Sequence, residues 1–181
     1  MRNDGRGLDS MLLKSKEIAY LGVLLALNQI FIFLSSIIKT NTLALFMLAA
    51  LMVGVVIVEF GMKNGILFYI ASSILGFFLT ANQVEIVTYI LFFGLYSIVK
   101  CVIEKAAFPM KYARIFEITA KLLFFNLAVI SIYLIVRSIV TIKIYWWLIL
   151  VAQIIFIAYD YAFGVFINYY IRKIQPKIKT K

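Results

Sequence analysis

Six apolar runs, each close to the length of a membrane-crossing helix, fill nearly all of the chain between residues 18 and 171. A hydrocarbon layer about 30 Å thick needs roughly 20 apolar residues at about 1.5 Å each. A backbone in hydrocarbon must also satisfy its own N–H and C=O groups, which within a single run only a helix does. The runs cover about 18–38, 43–60, 65–80, 85–104, 118–139 and 144–171. Between them lie polar, turn-forming breaks: "KTNT", "EFGMKNG" with Gly61, Asn64 and Gly65, "TANQVE", and "EKAAFPMKYAR", where Pro109 stops a helix. The expectation is an all-α polytopic membrane protein, a six-transmembrane-helix bundle. It would comprise a polar leader at 1–17, a membrane domain at 18–171 and a basic tail at 172–181.

The chain carries a net charge of +10, which in a soluble protein would suggest nucleic acid. Here the charges sit at the ends of the apolar runs. With six spans the two termini share a side, and of the 18 Lys and Arg all but Lys39, Arg137 and Lys143 fall on it. The positive-inside rule then makes both termini cytoplasmic in a plasma membrane. The basic residues, Lys100 and Lys121 among them, read as topology signals and contacts to anionic lipids, with no nucleic-acid partner.

Catalysis has little to work with. Zero histidines and a single cysteine, Cys101, remove zinc sites, disulfides and His-based nucleophile activation, so no enzyme, metal or cofactor is expected. No GxxxxGK[ST] stretch occurs either, so any active transport would need a partner ATPase.

Polar groups inside the spans are the informative positions, because ionisable side chains at membrane depth are costly. Asn126, Tyr133 and Arg137 fall within about 20° of one line on the fifth span at 100° per residue. Trp146, Gln153 and Asp160 repeat every seven residues on the sixth, with Gly164 one turn beyond Asp160. Glu85, Tyr89, Phe92 and Tyr96 form a stripe on the fourth. These stripes would face one another around a small polar or aromatic site. Asp160 would lie near Asn126 as its floor, with Arg137 and Trp146 at the mouth. Tyrosine and tryptophan faces, Arg137 as a cation and hydrogen bonds from Asn82, Gln83, Asn126 and Gln153 suit a small, partly aromatic or anionic molecule. Asn126 and Gln153 would serve equally as interhelical glue, whereas the ionisable Glu85, Arg137 and Asp160 point rather to a ligand or partner.

On the first span Ala19, Gly22 and Ala26 make a small-residue ridge that lets another helix approach closely. Small-residue pairs also occur as Ala50 with Gly54 and Ser72 with Gly76.

The opening "KSKEIAYLGVLLALNQIFIFL", followed by "GVVIVEFGMKNGILFYIASSILGFF" with its Gly-containing turn, resembles the substrate-binding S components of energy-coupling factor transporters. The resemblance implies a membrane subunit that binds a vitamin-like micronutrient and depends on a transmembrane coupling subunit and ATPases. It further implies docking of that subunit on the first-helix ridge, where Gly22 and Ala26 stand in place of an alanine pair. Lys39, Thr40, Asn41 and Thr42 would form a gating loop over a site built from the later helices. The alternative is a structural scaffold subunit of a cell-envelope or other membrane assembly, in which the stripes are glue and the ridges are protein interfaces.

Overall fold

The computed structural model describes residues 4–80, 83–106, 113–137 and 146–179, and among them there is no strand. Five helical segments, Ser15–Ile37, Lys39–Leu79, Gln83–Lys105, Ala113–Arg137 and Trp147–Lys177, are long and apolar enough to cross a membrane. The chain runs through α1 (Asp4–Ile37), a 3₁₀ turn (Lys39–Asn41), α2 (Thr42–Leu79) and α3 (Gln83–Thr88). A π-helical stretch (Tyr89–Gly94) leads into α4 (Leu95–Lys105), followed by α5 (Ala113–Arg137), α6 (Trp146–Tyr169), a second π-helical stretch (Tyr170–Ile174) and α7 (Gln175–Lys179). The helix expected from about residue 18 continues back to Asp4, through most of the polar leader.

The 38-residue α2 is not straight. A straight helix would hold Ala49 and Ser72 about 34 Å apart, yet both meet one side chain. The Asn28 amide donates to the Ala49 carbonyl at 2.8 Å, and its oxygen accepts from the Ser72 hydroxyl at 2.8 Å. The reversal falls at Gly61, whose φ of 84° and ψ of 173° suit only a residue without a Cβ. Two arms, 42–60 and 62–79, thus lie side by side. They touch through Gly65, where an added Cβ would run into the Ile57 side chain.

Chain direction then defines two ends of the bundle. Lys39, Gln83 and Arg137 mark the upper end; Gly61, Lys105 and Ala113 mark the lower. The core centres on the arms of α2, with Ala49, Ala50, Val53 and Val56 fully buried against Ile32 of α1 and Ile86 of α3. At its heart is a neutral polar cluster. Asn28 donates to the Tyr89 hydroxyl at 3.0 Å, Gln29 donates to the Ser72 carbonyl at 3.1 Å, and the Ser72 and Tyr89 hydroxyls lie 2.7 Å apart. At the lower end the Tyr20 and Tyr170 hydroxyls meet at 2.8 Å, and Tyr170 donates to Glu59 at 2.9 Å.

Candidate functional site

Two features stand out in the half of the bundle made by α3 to α6: an ionic hub around two buried lysines and an aromatic cavity above it. The hub is built from short helical spacings. Tyr96, Lys100 and Glu104 are four apart on α4, and Glu117 and Lys121 are four apart on α5, so each set projects from one face. Both faces meet Asp160 on α6. The Tyr96 hydroxyl donates to Asp160 Oδ1 at 2.6 Å, Lys100 Nζ pairs with the same oxygen, and Lys121 Nζ reaches Oδ2 at 3.2 Å. Lys100 also pairs with Glu104 at 2.8 Å, and Lys121 with Glu104 at 2.8 Å and Glu117 at 2.6 Å. The Lys100 and Lys121 side chains are only 6% and 4% exposed, so their charge is balanced by protein carboxylates rather than by water. Gly164 lies beside the hub, where a Cβ would be in ordinary contact with Lys100 Nζ at 3.8 Å.

Above the hub is a packed aromatic layer. The Tyr96 ring lies 5.9 Å from Phe92, 5.2 Å from Phe156 and 5.5 Å from Tyr159, and Phe125 stacks on Phe156 at 4.6 Å and 16°. The π-helical stretch contributes directly, since its wider turn buries Phe92, Phe93 and Gly94 in succession. Phe92, Phe93, Phe125, Phe156 and Tyr159 line a cavity of about 460 Å³ on the upper side, bounded also by Leu43, Val84, Tyr133 and Val136. A second cavity of about 470 Å³ lies on the lower side, lined by Gly54, Ser97, Lys100, Glu104 and Phe163 among others. Aromatic layer and hub separate the two.

The residues singled out in the sequence are distributed as follows. Tyr96 and Asp160 join the hub, and Tyr133 borders the upper cavity. Asp160 is held by Lys100, Tyr96 and Lys121, not by Asn126. Asn126 instead donates to the Leu122 carbonyl at 2.9 Å and accepts from Gln153 at 3.4 Å, tying α5 to α6 outside the cavity lining. Tyr89 is fully buried in the neutral cluster and serves as helix glue. Glu85 pairs with Lys39 at 2.6 Å at the upper end. Thr40 and Asn41 complete the 3₁₀ turn, and the Thr42 hydroxyl donates to the Ser35 carbonyl at 3.2 Å. Arg137 is exposed at the end of α5 and is not part of the cavity lining. The Trp146 side chain and Asn82 lie outside the described residues. Ala19, Gly22 and Ala26 all face outward, and a Cβ on Gly22 would meet nothing within 4 Å.

Lys100 and Lys121 correct the charge reading: counted as topology signals, both are buried ion-pair partners of Asp160. The signal was available in the spacing of Tyr96, Lys100 and Glu104 and of Glu117 and Lys121. Each places an acid one turn from a lysine beside an apolar run. No family model, no curated protein and no solved structure matches the chain.

Proposed function

We propose that this chain is a membrane-embedded substrate-binding subunit for uptake of a small molecule, energised by a partner ATPase module in the manner of the energy-coupling factor S components it resembles. The observation that carries this reading is the upper cavity: about 460 Å³, within the size range of small-molecule sites, and closed below by an aromatic layer seated on an ionic hub. A purely structural bundle has no need of such a space. The adjoining loop supports a gating role, since Lys39 reaches across to Glu85 while Leu43, just beyond the loop, borders the cavity.

In this reading the two arms of α2 are separate spans, so that the chain crosses six times with both termini cytoplasmic and the cavity opens outward. Reporters fused at residues 2 and 180 should both be cytoplasmic, and one inserted at Asn41 should be outside. Opposite sides for the two termini would refute the crossing count.

Ala19, Gly22 and Ala26 form the surface for the transmembrane coupling partner, supported by their outward placement and by the open space at Gly22. Mild-detergent purification followed by mass spectrometry should recover a coupling subunit and ATPases with the wild type. Gly22→Leu should lose them while melting at the same temperature, because a surface substitution away from packed features changes stability by less than about 0.5 kcal/mol. Recovery of envelope-synthesis proteins instead would favour the scaffold alternative. That alternative draws support from the neutral cluster of Asn28, Ser72 and Tyr89, whose polar groups satisfy one another.

A further inference from the structure

We infer that the lower cavity is a second, separate site that holds a phospholipid with a primary amine in its headgroup, the ammonium between Glu104 and Glu117 and the phosphate on Lys105. The protons of the hub are the first reason. Lys100 donates to Asp160 Oδ1, to the Asp160 carbonyl at 3.3 Å and to Glu104 at 2.8 Å; Lys121 donates to Glu104 at 2.8 Å, Glu117 at 2.6 Å and Asp160 at 3.2 Å. An ammonium has three N–H groups, so both lysines are fully used. What the hub offers to the cavity is therefore acceptors. Glu104 and Glu117 line it, their side chains are 43% and 37% exposed, and each meets the lysines through Oε1 alone. Among the described residues nothing donates to either Oε2. Two lysines face three carboxylates, which leaves one negative charge for a cation to balance.

The rest of the lining sorts by depth as a lipid does. Glu104 and Lys105 close the last turn of α4 and Glu117 stands near the start of α5, so the charged members lie at the lower end, at headgroup level. Toward the middle of the bundle the walls are Gly54, Phe163 and Gly164, with Ile57 and Ile167 between, a path for an acyl chain. Lys105 is exposed and makes no ion pair among the described residues, which leaves it open to a phosphate. A trimethylated headgroup would bring charge to the glutamates but no N–H donor. An anionic headgroup without an amine would meet two carboxylates and two lysines with no proton to spare.

The full chain in detergent is titrated with dioleoyl phosphatidylethanolamine, phosphatidylcholine or phosphatidylglycerol, and with dodecylamine, and bound copies are counted by native mass spectrometry. Gly164→Leu fills the cavity; Asn168→Trp, at its exposed rim, does so if that variant does not fold. The expected result is one saturable phosphatidylethanolamine, at least about tenfold tighter than the other two lipids and lost on filling. Glu117→Gln, or Glu104→Gln where that variant does not fold, should weaken it about tenfold, the scale of a hydrogen bond to a charged group, and leave phosphatidylcholine unchanged. Lys105→Met should weaken it about threefold, the scale of an exposed ion pair, and leave dodecylamine unchanged. Equal or tighter binding of phosphatidylglycerol or phosphatidylcholine would overturn the ammonium contact. Dodecylamine bound as tightly as phosphatidylethanolamine, with Lys105→Met affecting neither, would make the ligand a free amine and overturn the lipid. Phosphatidylethanolamine binding unaltered by both filling variants would overturn the cavity as its place. The upper cavity takes no part in any of these outcomes.

Discussion

The two halves of the bundle solve the same problem, how to keep polar groups in a membrane, by opposite means. The half made by α1 and the arms of α2 uses neutral groups: Asn28, Gln29 and Ser72 bond to one another, to backbone carbonyls and to Tyr89, while small residues bring backbones together. The half made by α4 to α6 uses charge: beneath its aromatic layer two buried lysines and three carboxylates join the helices, with α5 burying only Lys121, Phe125, Ala128 and Val136. Neutral glue suits close, permanent packing. An ionic hub can hold helices together across a space that has not been filled, and both cavities border this second half.

The comparison is most exposed at Asp160. Asp160→Ala removes the carboxylate that Lys100 and Lys121 share and the acceptor of the Tyr96 hydroxyl, leaving the lysines only the more exposed Glu104 and Glu117, and should cost about 3 kcal/mol, the low end of the scale for breaking a buried pair on one side. Thermal unfolding in detergent measures it. Adding Lys100→Met to Asp160→Asn should recover part of the loss relative to Asp160→Asn alone, since replacing both members of a buried pair is far less disruptive than removing one. An Asp160→Ala variant as stable as the wild type would end the distinction between the halves.

Packing in the first half gives the next largest effect. Gly65→Ala places a methyl group against Ile57 and should cost about 1–3 kcal/mol by overpacking, without altering ligand binding in the upper cavity. A change in ligand affinity in this variant would mean that the halves are not independent. The smallest effect is expected at Gln29. Gln29→Ala removes one interhelical hydrogen bond, to the Ser72 carbonyl, worth about 0.6–2 kcal/mol in a membrane, so its melting temperature should fall less than that of Asp160→Ala. The reverse order would show that the neutral cluster, not the hub, is the main fastening.

How much of this was legible depends on which signal a residue carries. Apolar run length located the helices, and the turn residues around Gly61 marked the reversal that keeps α2 from being one rod. Asp160 stood out because an acid in an apolar run has few explanations. The faces were harder to read. In a membrane both core and lipid are apolar, so Phe125 and Ala128 on α5, or Phe156, Tyr159 and Phe163 on α6, give no contrast with their neighbours. The polar residues gave the only visible stripes. On α5 that stripe, Asn126 to Arg137, lies about 120° around the helix from the buried one at 100° per residue; on α6 the offset is about a quarter turn. Lys100 and Lys121 were misread for a related reason: close to the ends of their runs, they looked like charges that reach water.

The π-helical stretch at Tyr89–Gly94 has a consequence for the lower half of its helix. A widened turn works as a phase shifter, setting the angle at which everything after it leaves the axis. Ile86 before it and Tyr89 at its start face the arms of α2, and Tyr96 and Lys100 after it face Asp160. Deleting one residue from this stretch would restore an ordinary helix and rotate the following segment by about 100°, turning Tyr96 and Lys100 away from their acid. The charge hub is thus clocked by a backbone irregularity two turns above it, and that irregularity also sets Phe92 and Phe93 in the cavity wall.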